Sequence, residues 1–243
     1  MRMLTFAYRN SKEIIRDPLT LGFGIGFPVV LLLLLSAIQA NIPVNLFEIS
    51  RLAPGIAVFG LSFITMFSAL LISKDRGSSF FQRLYTTPMK PADFILGYTL
   101  PILPISLAQV AICYLVAIFL GLEISVNILL SLIFMIPVAV LYIALGLLFG
   151  SMLTEKQVGG ICGSVLTNLS AWLSGTWFDL ELVGGGFKAV AYHLPFVHAV
   201  DMSRAVLAGD LGGIFPHIWW VICYAAVCLI AAIFLFVRQM KKQ

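Results

Sequence analysis

Charge is what this sequence has least of. Only 11% of its 243 residues are Asp, Glu, Lys or Arg, and 60% are hydrophobic; soluble domains carry roughly a quarter charged. So little polar surface cannot solvate a globule, and the composition specifies an integral membrane protein. Further absences narrow the function. These residues contain no GxxxxGK[ST], so they cannot cradle ATP phosphates themselves. They contain no GxSxG elbow and no HExxH, which removes the two commonest hydrolytic arrangements. Cys113, Cys162, Cys223 and Cys228 all fall in apolar runs and none forms a CxxC pair, so they read as small buried hydrophobes. His193, His198 and His217 show no metal-ligand pattern, and no metal is expected. No ionisable residue is expected deep in an apolar run. Asp93, Glu123 and Glu155 stand at edges, and the embedded polar residues Gln109, Asn127 and Asn168 are neutral. Ion- or proton-coupled carriers need buried ionisable groups, and charged pores need rings of them. A stand-alone carrier or channel is therefore the weaker alternative.

What is present is a set of apolar runs. A spanning helix takes about 20 apolar residues, and six runs qualify: Leu19–Ala37, Ala53–Ser73, Phe94–Leu122, Val126–Met152, Val158–Trp177 and Ile218–Val237. The third and fourth are over-long and carry Pro101, Pro104 and Pro137, which favour a tilt or a kink. Lys and Arg alternate between the connecting segments. One set of compartments holds twelve of them and the other three. The positive-inside rule makes the richer side cytoplasmic, with both termini on it. The first run reads as a retained span, because its apolar core exceeds a signal-peptide h-region and eighteen residues precede it. The expected organisation is one transmembrane domain over 1–243. It comprises an amphipathic helix at 1–17, spans at 19–73, a cytoplasmic loop at 74–93 and spans at 94–177. An outer segment at 178–217, a last span at 218–237 and a tail at 238–243 complete it.

Three polar segments are patterned. In 1–17, Leu4, Ala7, Tyr8, Ile14 and Ile15 recur at helical spacing. Arg2, Thr5, Arg9, Lys12, Glu13 and Arg16 take the other face. A basic amphipathic helix of this kind lies in the headgroup layer, either as a plain anchor or as a lever (Arg9, Lys12, Arg16) joined to a cytoplasmic partner. The island Lys74–Asp93 reads KDRGSSFFQRLYTTPMKPAD and carries Lys74, Arg76, Arg83 and Lys90. Phe80, Phe81, Leu84 and Tyr85 fall on one side of a short helix, which Thr87-Pro88 stops. Lys90-Pro91 opens the next helix, with Asp93 placed well for its dipole. A structured basic loop of this length suits docking to a soluble protein. The weaker alternative is that the arginines simply anchor to anionic headgroups. The third segment, 178–217, is too apolar for a solvated loop and is expected to hold short helices dipping into the membrane, with a turn at Gly209-Asp210. The pairs Gly22/Gly26, Gly146/Gly150 and Gly159/Gly163 suggest close helix packing.

At these residues the chain resembles the ABC-2 type permeases, the membrane subunits of type V ABC exporters. The family's coupling segment, E-R-E-x-G-x-L-E-R-L-x-x-T-P, is matched by Asp75, Arg76, Phe81, Arg83, Leu84, Thr87 and Pro88. Gly77, Ser79 and Gln82 depart from it. An outer motif, L-P-x-x-H-x-x-x-x-x-R, is matched by Leu194, Pro195, His198 and Arg204. The resemblance implies an all-α membrane protein of six spans with an N-terminal amphipathic helix, a cytoplasmic coupling helix and outer re-entrant helices. It implies a second permease copy or paralogue and two cytoplasmic ABC ATPase subunits that bind the ATP and Mg. It also implies a bacterial inner membrane and export of a hydrophobic or amphipathic substrate (drug, antibiotic peptide or lipid-like) along a path lined by spans 1, 2 and 5. No cofactor in this chain and no nucleic-acid partner are expected. Asp75, Arg76, Phe81, Arg83, Leu84, Tyr85, Thr87 and Pro88 would be the ATPase-coupling residues. At the outer face, Leu194, Pro195, His198, Asp201 and Arg204 would form a gate. Alternatively, Asp201 would simply pair with His198 and Arg204 and hold a short helix together.

Overall fold

In the computed structural model, residues 2–78 and 91–240 are described. Their regular elements are all helical, with no strand among them. Helix α1 is Arg2–Ile15. Asp17 then caps the next element, its carboxylate accepting from the Thr20 amide at 3.1 Å and the Thr20 hydroxyl at 2.5 Å. The first apolar run follows as α2 (Pro18–Leu21), a π-helical turn (Gly22–Gly26) and α3 (Phe27–Gln39). Three long helices come next: α4 (Ile49–Arg76), α5 (Pro91–Phe119) and α6 (Val126–Met152). The latter two run unbroken through Pro101, Pro104 and Pro137. Asp93 falls in the first turn of α5. The fifth run is α7 (Glu155–Gly160), a second π-helical turn (Ile161–Leu166) and α8 (Thr167–Leu173). The outer segment holds α9 (Leu180–Val183), α10 (Gly185–Tyr192) and α11 (Pro195–Ala208). Gly209 closes α11 in the left-handed region at φ 76°, where glycine carries no Cβ penalty.

Among the described residues, five helices are long and apolar enough to cross a membrane: Gly22–Gln39, Ile49–Arg76, Ala92–Phe119, Val126–Met152 and Leu211–Arg238. The fifth expected run is helical over 155–173 and, like the first run, passes through a π turn; it is not among the five, and Glu155, Lys156, Gln157 and Asn168 make it the more polar. The last helix, α12 (Leu211–Met240), starts seven residues before the expected Ile218, so His217 belongs to it rather than to the outer segment. The reason is a cap: the Asp210 carboxylate accepts from the Gly213 amide at 3.1 Å and opens the helix early.

Helix α4 is the axis of the bundle. Of its apolar window 78% is buried, against 17% for the first run, which lies at the periphery. At 28 residues, α4 is about 42 Å long, and its two ends organise the two polar clusters described below. The tightest packing is α4 on α6. A Cβ added at Gly146 would stand 2.4 Å from Ser68 Cβ, and one at Gly150 would stand 2.8 Å from the Ala69 carbonyl. The other two small-residue pairs behave differently. Gly22, Gly26 and Gly159 have nothing within 4 Å, and Gly163 abuts only the flexible Met66 sulfur. Buried hydroxyls finish the core: Tyr114 bonds Ser131 (2.7 Å) and Ser203 (2.9 Å), joining α5, α6 and α11, and Tyr142 bonds Ser170 at 2.8 Å.

Candidate functional site

The first polar cluster sits where α1 crosses the end of α4 and the start of α5. Phe6, Ala7 and Asn10 form the buried face of α1, while Leu4, Tyr8 and Ile15 are exposed. The expected apolar face is thus rotated about the helix axis. Gly97 permits this, since a Cβ there would lie 2.3 Å from the Phe6 ring. Phe6 packs edge-on against Phe94 (5.9 Å) and Tyr98 (4.9 Å), and the Asn10 amide donates to the Gly97 carbonyl at 3.0 Å. The Arg9 guanidinium then reaches across to Asp75 with two bonds, 2.5 and 2.7 Å, and also pairs with Glu13 at 2.7 Å. Asp75 is 2% exposed, and it accepts from the Tyr98 phenol at 2.9 Å. Burial works against the charge on Arg9, but the bonds and charge of Asp75, with Glu13, outweigh it, and its pKa is raised. A carboxylate so deep is stable because two Arg9 N–H groups and a phenol satisfy it.

Asp75 and Arg76 were read from sequence as loop residues. Both lie in the last turn of α4. Arg76 points the other way from Asp75, donating to the backbone carbonyls of Ser151 and Leu153 at the end of α6. Of the other coupling residues, Phe81, Arg83, Leu84, Tyr85, Thr87 and Pro88 lie outside the described residues. Lys12 stacks over its neighbour Tyr8 at 4.5 Å, and Arg16 is exposed. Together with Lys74, Glu13, Asp17 and Glu155 they rim an open groove of about 830 Å³ floored by Ile14, Phe67, Leu70 and Leu71.

The second cluster lies at the opposite end of α4. Arg204 donates from Nε to the Arg51 carbonyl (3.2 Å) and from Nη2 to the Gly175 carbonyl (2.9 Å), stapling α11 to the start of α4 and the end of α8. Its pair with Asp201 is long, 3.7 Å. Burial lowers the Arg204 pKa and raises that of Asp201. His198 does not bond Asp201, contrary to one of the two expectations. It is 5% exposed, stacks on Trp220 (4.9 Å, 9° between planes), and bonds the Tyr192 carbonyl and the His217 ring. Pro195 sits at the start of α11, after Leu194 as its N-cap residue.

Between the first run, α4 and the fifth run is an open hollow of about 670 Å³. Phe23, Phe27, Phe59, Phe63, Trp172 and Trp177 line it, and Thr167 and Asn168 supply its polar groups. Sequence reasoning missed Tyr98, Asn10, Gly97, His217 and Trp220. Tyr98 and Asn10 carried a signal, as polar groups facing other elements in helical register, but nothing in the sequence says which elements meet.

Helices of this length and apolarity, closing over hydrogen-bonded interior polar groups, define a multi-pass integral membrane protein. Residues 2–208 match the membrane domain of the ABC-2 type transporters, and the chain belongs to that family. It is also 24% identical over 199 residues to the ABC transporter G family member 20 of Dictyostelium discoideum. The alignment covers 80% of this chain and 27% of that protein, so the chain spans about a quarter of that relative. ABC-2 membrane domains work with ABC ATPase domains, and the ATP site lies in those domains.

Proposed function

We propose that this chain is the transmembrane permease subunit of an ATP-driven exporter. In this reading it has six spans, with the π-interrupted fifth run as one of them, and both termini are cytoplasmic. It pairs with a second copy or a paralogue. Separate ABC ATPase subunits power it by docking on 79–90 and on the groove beside α1.

The observation that carries the reading is the Arg9–Asp75–Tyr98 lock. It joins α1, α4 and α5 at Asp75, the first matched residue of the segment that resembles a coupling helix. A push on that segment then moves α1 and two long helices as one body, because a bidentate ion pair to a buried carboxylate resists separation. The first run, α4 and the fifth run border the aromatic hollow, which suits a hydrophobic or amphipathic substrate because its walls offer apolar area and very few polar partners.

The test is co-purification from native membranes, with and without Arg83→Glu, scored by identifying a P-loop ATPase and measuring its ATP hydrolysis. Recovery of the ATPase with the native chain and its loss in the variant is the expected result. Recovery of the native chain with no ATPase, together with gradient-driven transport by the purified chain, overturns the proposal in favour of a stand-alone carrier.

A further inference from the structure

His198 and His217 face each other through their Nδ1 atoms at 2.8 Å, between α11 and α12. The tautomers follow from their partners. The Tyr192 carbonyl can only accept, so His198 Nε2, 3.0 Å away, carries a hydrogen. The neutral His198 ring then presents a bare Nδ1, and His217 donates to it. One added proton can be taken up: His198 becomes doubly protonated and donates from Nδ1, while His217 moves its own hydrogen to Nε2 and accepts. A second proton cannot. Both rings would then present N–H groups and positive charge to each other, at a distance that suits only a donor and an acceptor.

We infer that the His198–His217 pair is an acid-sensitive latch that fastens the α10–α11 segment to the first turns of α12, and that it opens when both rings are charged.

The surroundings fit a latch rather than a general core contact. His198 is sandwiched, with Trp220 of α12 stacked on it and the Tyr192 ring edge-on at 5.9 Å. Four residues along α12 from Trp220, Tyr224 donates to the His193 carbonyl at 2.5 Å and fastens the same seam. The titratable and charged groups near the pair are few. Helix α10 presents Tyr192 and, over its ring, Lys188, with His193 just beyond it. Helix α12 presents Tyr224 besides His217. Helix α11 itself carries Asp201 and Arg204, which are paired. From α4 comes Arg51, whose carbonyl Arg204 holds. The phenols Tyr142 of α6 and Tyr114 of α5 are bonded to serines. Burial, then the His217 charge, lower the His198 pKa against the opposing pull of the Tyr192 carbonyl and Asp201. A histidine whose pKa is lower folded than unfolded leaves stability intact above the unfolded value, and stability declines as pH falls below it. Asp201, raised mainly by burial, has the opposite sign, favouring the folded state as pH falls, so it cannot produce a loss of stability on acidification.

The test is the melting temperature of the purified full chain between about pH 7.5 and about pH 5, with hydrogen exchange read along 185–224. Native protein is expected to lose several degrees across that range, with exchange rising first in α10–α11 and the start of α12. His217→Gln should flatten the loss, because an amide can offer its oxygen or its nitrogen to either state of His198. His193→Gln, which changes an exposed ring outside the pair, should keep it. Should His217→Gln fail to fold, His198→Gln serves the same comparison, and the exchange profile of native protein decides alone. A native protein whose melting and seam exchange are flat across the range overturns the latch, as does a loss that His217→Gln leaves unchanged.

Discussion

At the scale of single residues, the decisive group is Asp75. It is a carboxylate with 2% exposure at the end of a very apolar helix, and its stability there rests on Arg9 and Tyr98. Asp75→Asn keeps the shape and removes the charge, so that Arg9 keeps the Glu13 carboxylate and the Asn10 amide oxygen but loses its buried charge partner. Because the Arg9 side chain is 36% exposed, water recovers part of the loss, and the cost should be about 1–3 kcal/mol, read as a fall in the detergent melting point. A double-mutant cycle with Arg9→Ala should return about 1–2 kcal/mol of coupling. Strict additivity would mean that the pair contributes nothing. At the far end, Arg204→Lys should destabilise about as much as losing one charged hydrogen bond, ~1.5–3 kcal/mol. A lysine has one ammonium to reach the Arg51 and Gly175 carbonyls that the planar guanidinium spans. A melting point equal to that of the native protein would show the staple to be redundant. Neither Asp75 nor Arg204 could be assigned its partners from sequence. The short spacing Asp201 to Arg204 was legible, whereas the carbonyls that Arg204 bonds come from residues 153 and 29 positions away.

At the scale of elements, glycine position separates packing from mere composition. Three glycine pairs looked alike in sequence, and only Gly146/Gly150 closes on backbone. Gly146→Ala should therefore cost about 1–3 kcal/mol, because the Thr65 carbonyl lies 2.8 Å from the new Cβ and cannot move without shifting α4. Gly22→Ala, with open space around it, should change stability by less than about 0.5 kcal/mol. Equal melting points for the two variants would contradict the packing described. The two π turns also belong to this scale. Gly24 and Gly163 lie in them, and a Cβ at either would press on Phe67 or Met66, neighbours on α4. Periodicity arguments assume a 3.6-residue repeat, and a π turn adds a residue to it, so helix faces read from the sequence are shifted beyond each turn.

At the scale of the whole molecule, the charge asymmetry and the span count make a topology that can be measured. Single cysteines at Val44 and at Gly185, in a background lacking the native cysteines, should react with a membrane-impermeant thiol reagent applied from outside. One at Lys156 should react only from the cytoplasmic side. Labelling of Lys156 and Gly185 from the same side would remove the fifth run from the list of spans, and with it the six-span reading.

Composition and pattern by themselves determined that the chain is a helical membrane protein, roughly where its long helices lie, and which segments between them are structured. These are local properties: an apolar run of sufficient length has no alternative in lipid, since every backbone group must be bonded within the segment. Only the tertiary structure decided which face of α1 is buried, that Asp75 turns inward to Arg9 and Tyr98, that Gly146/Gly150 alone of the three pairs meets a backbone, and that His198 meets His217 rather than Asp201. Each of these depends on which helices become neighbours and at what rotation. In an apolar sequence nearly every helix face looks alike, so that choice rests on a few small and polar residues whose partners lie far away along the chain.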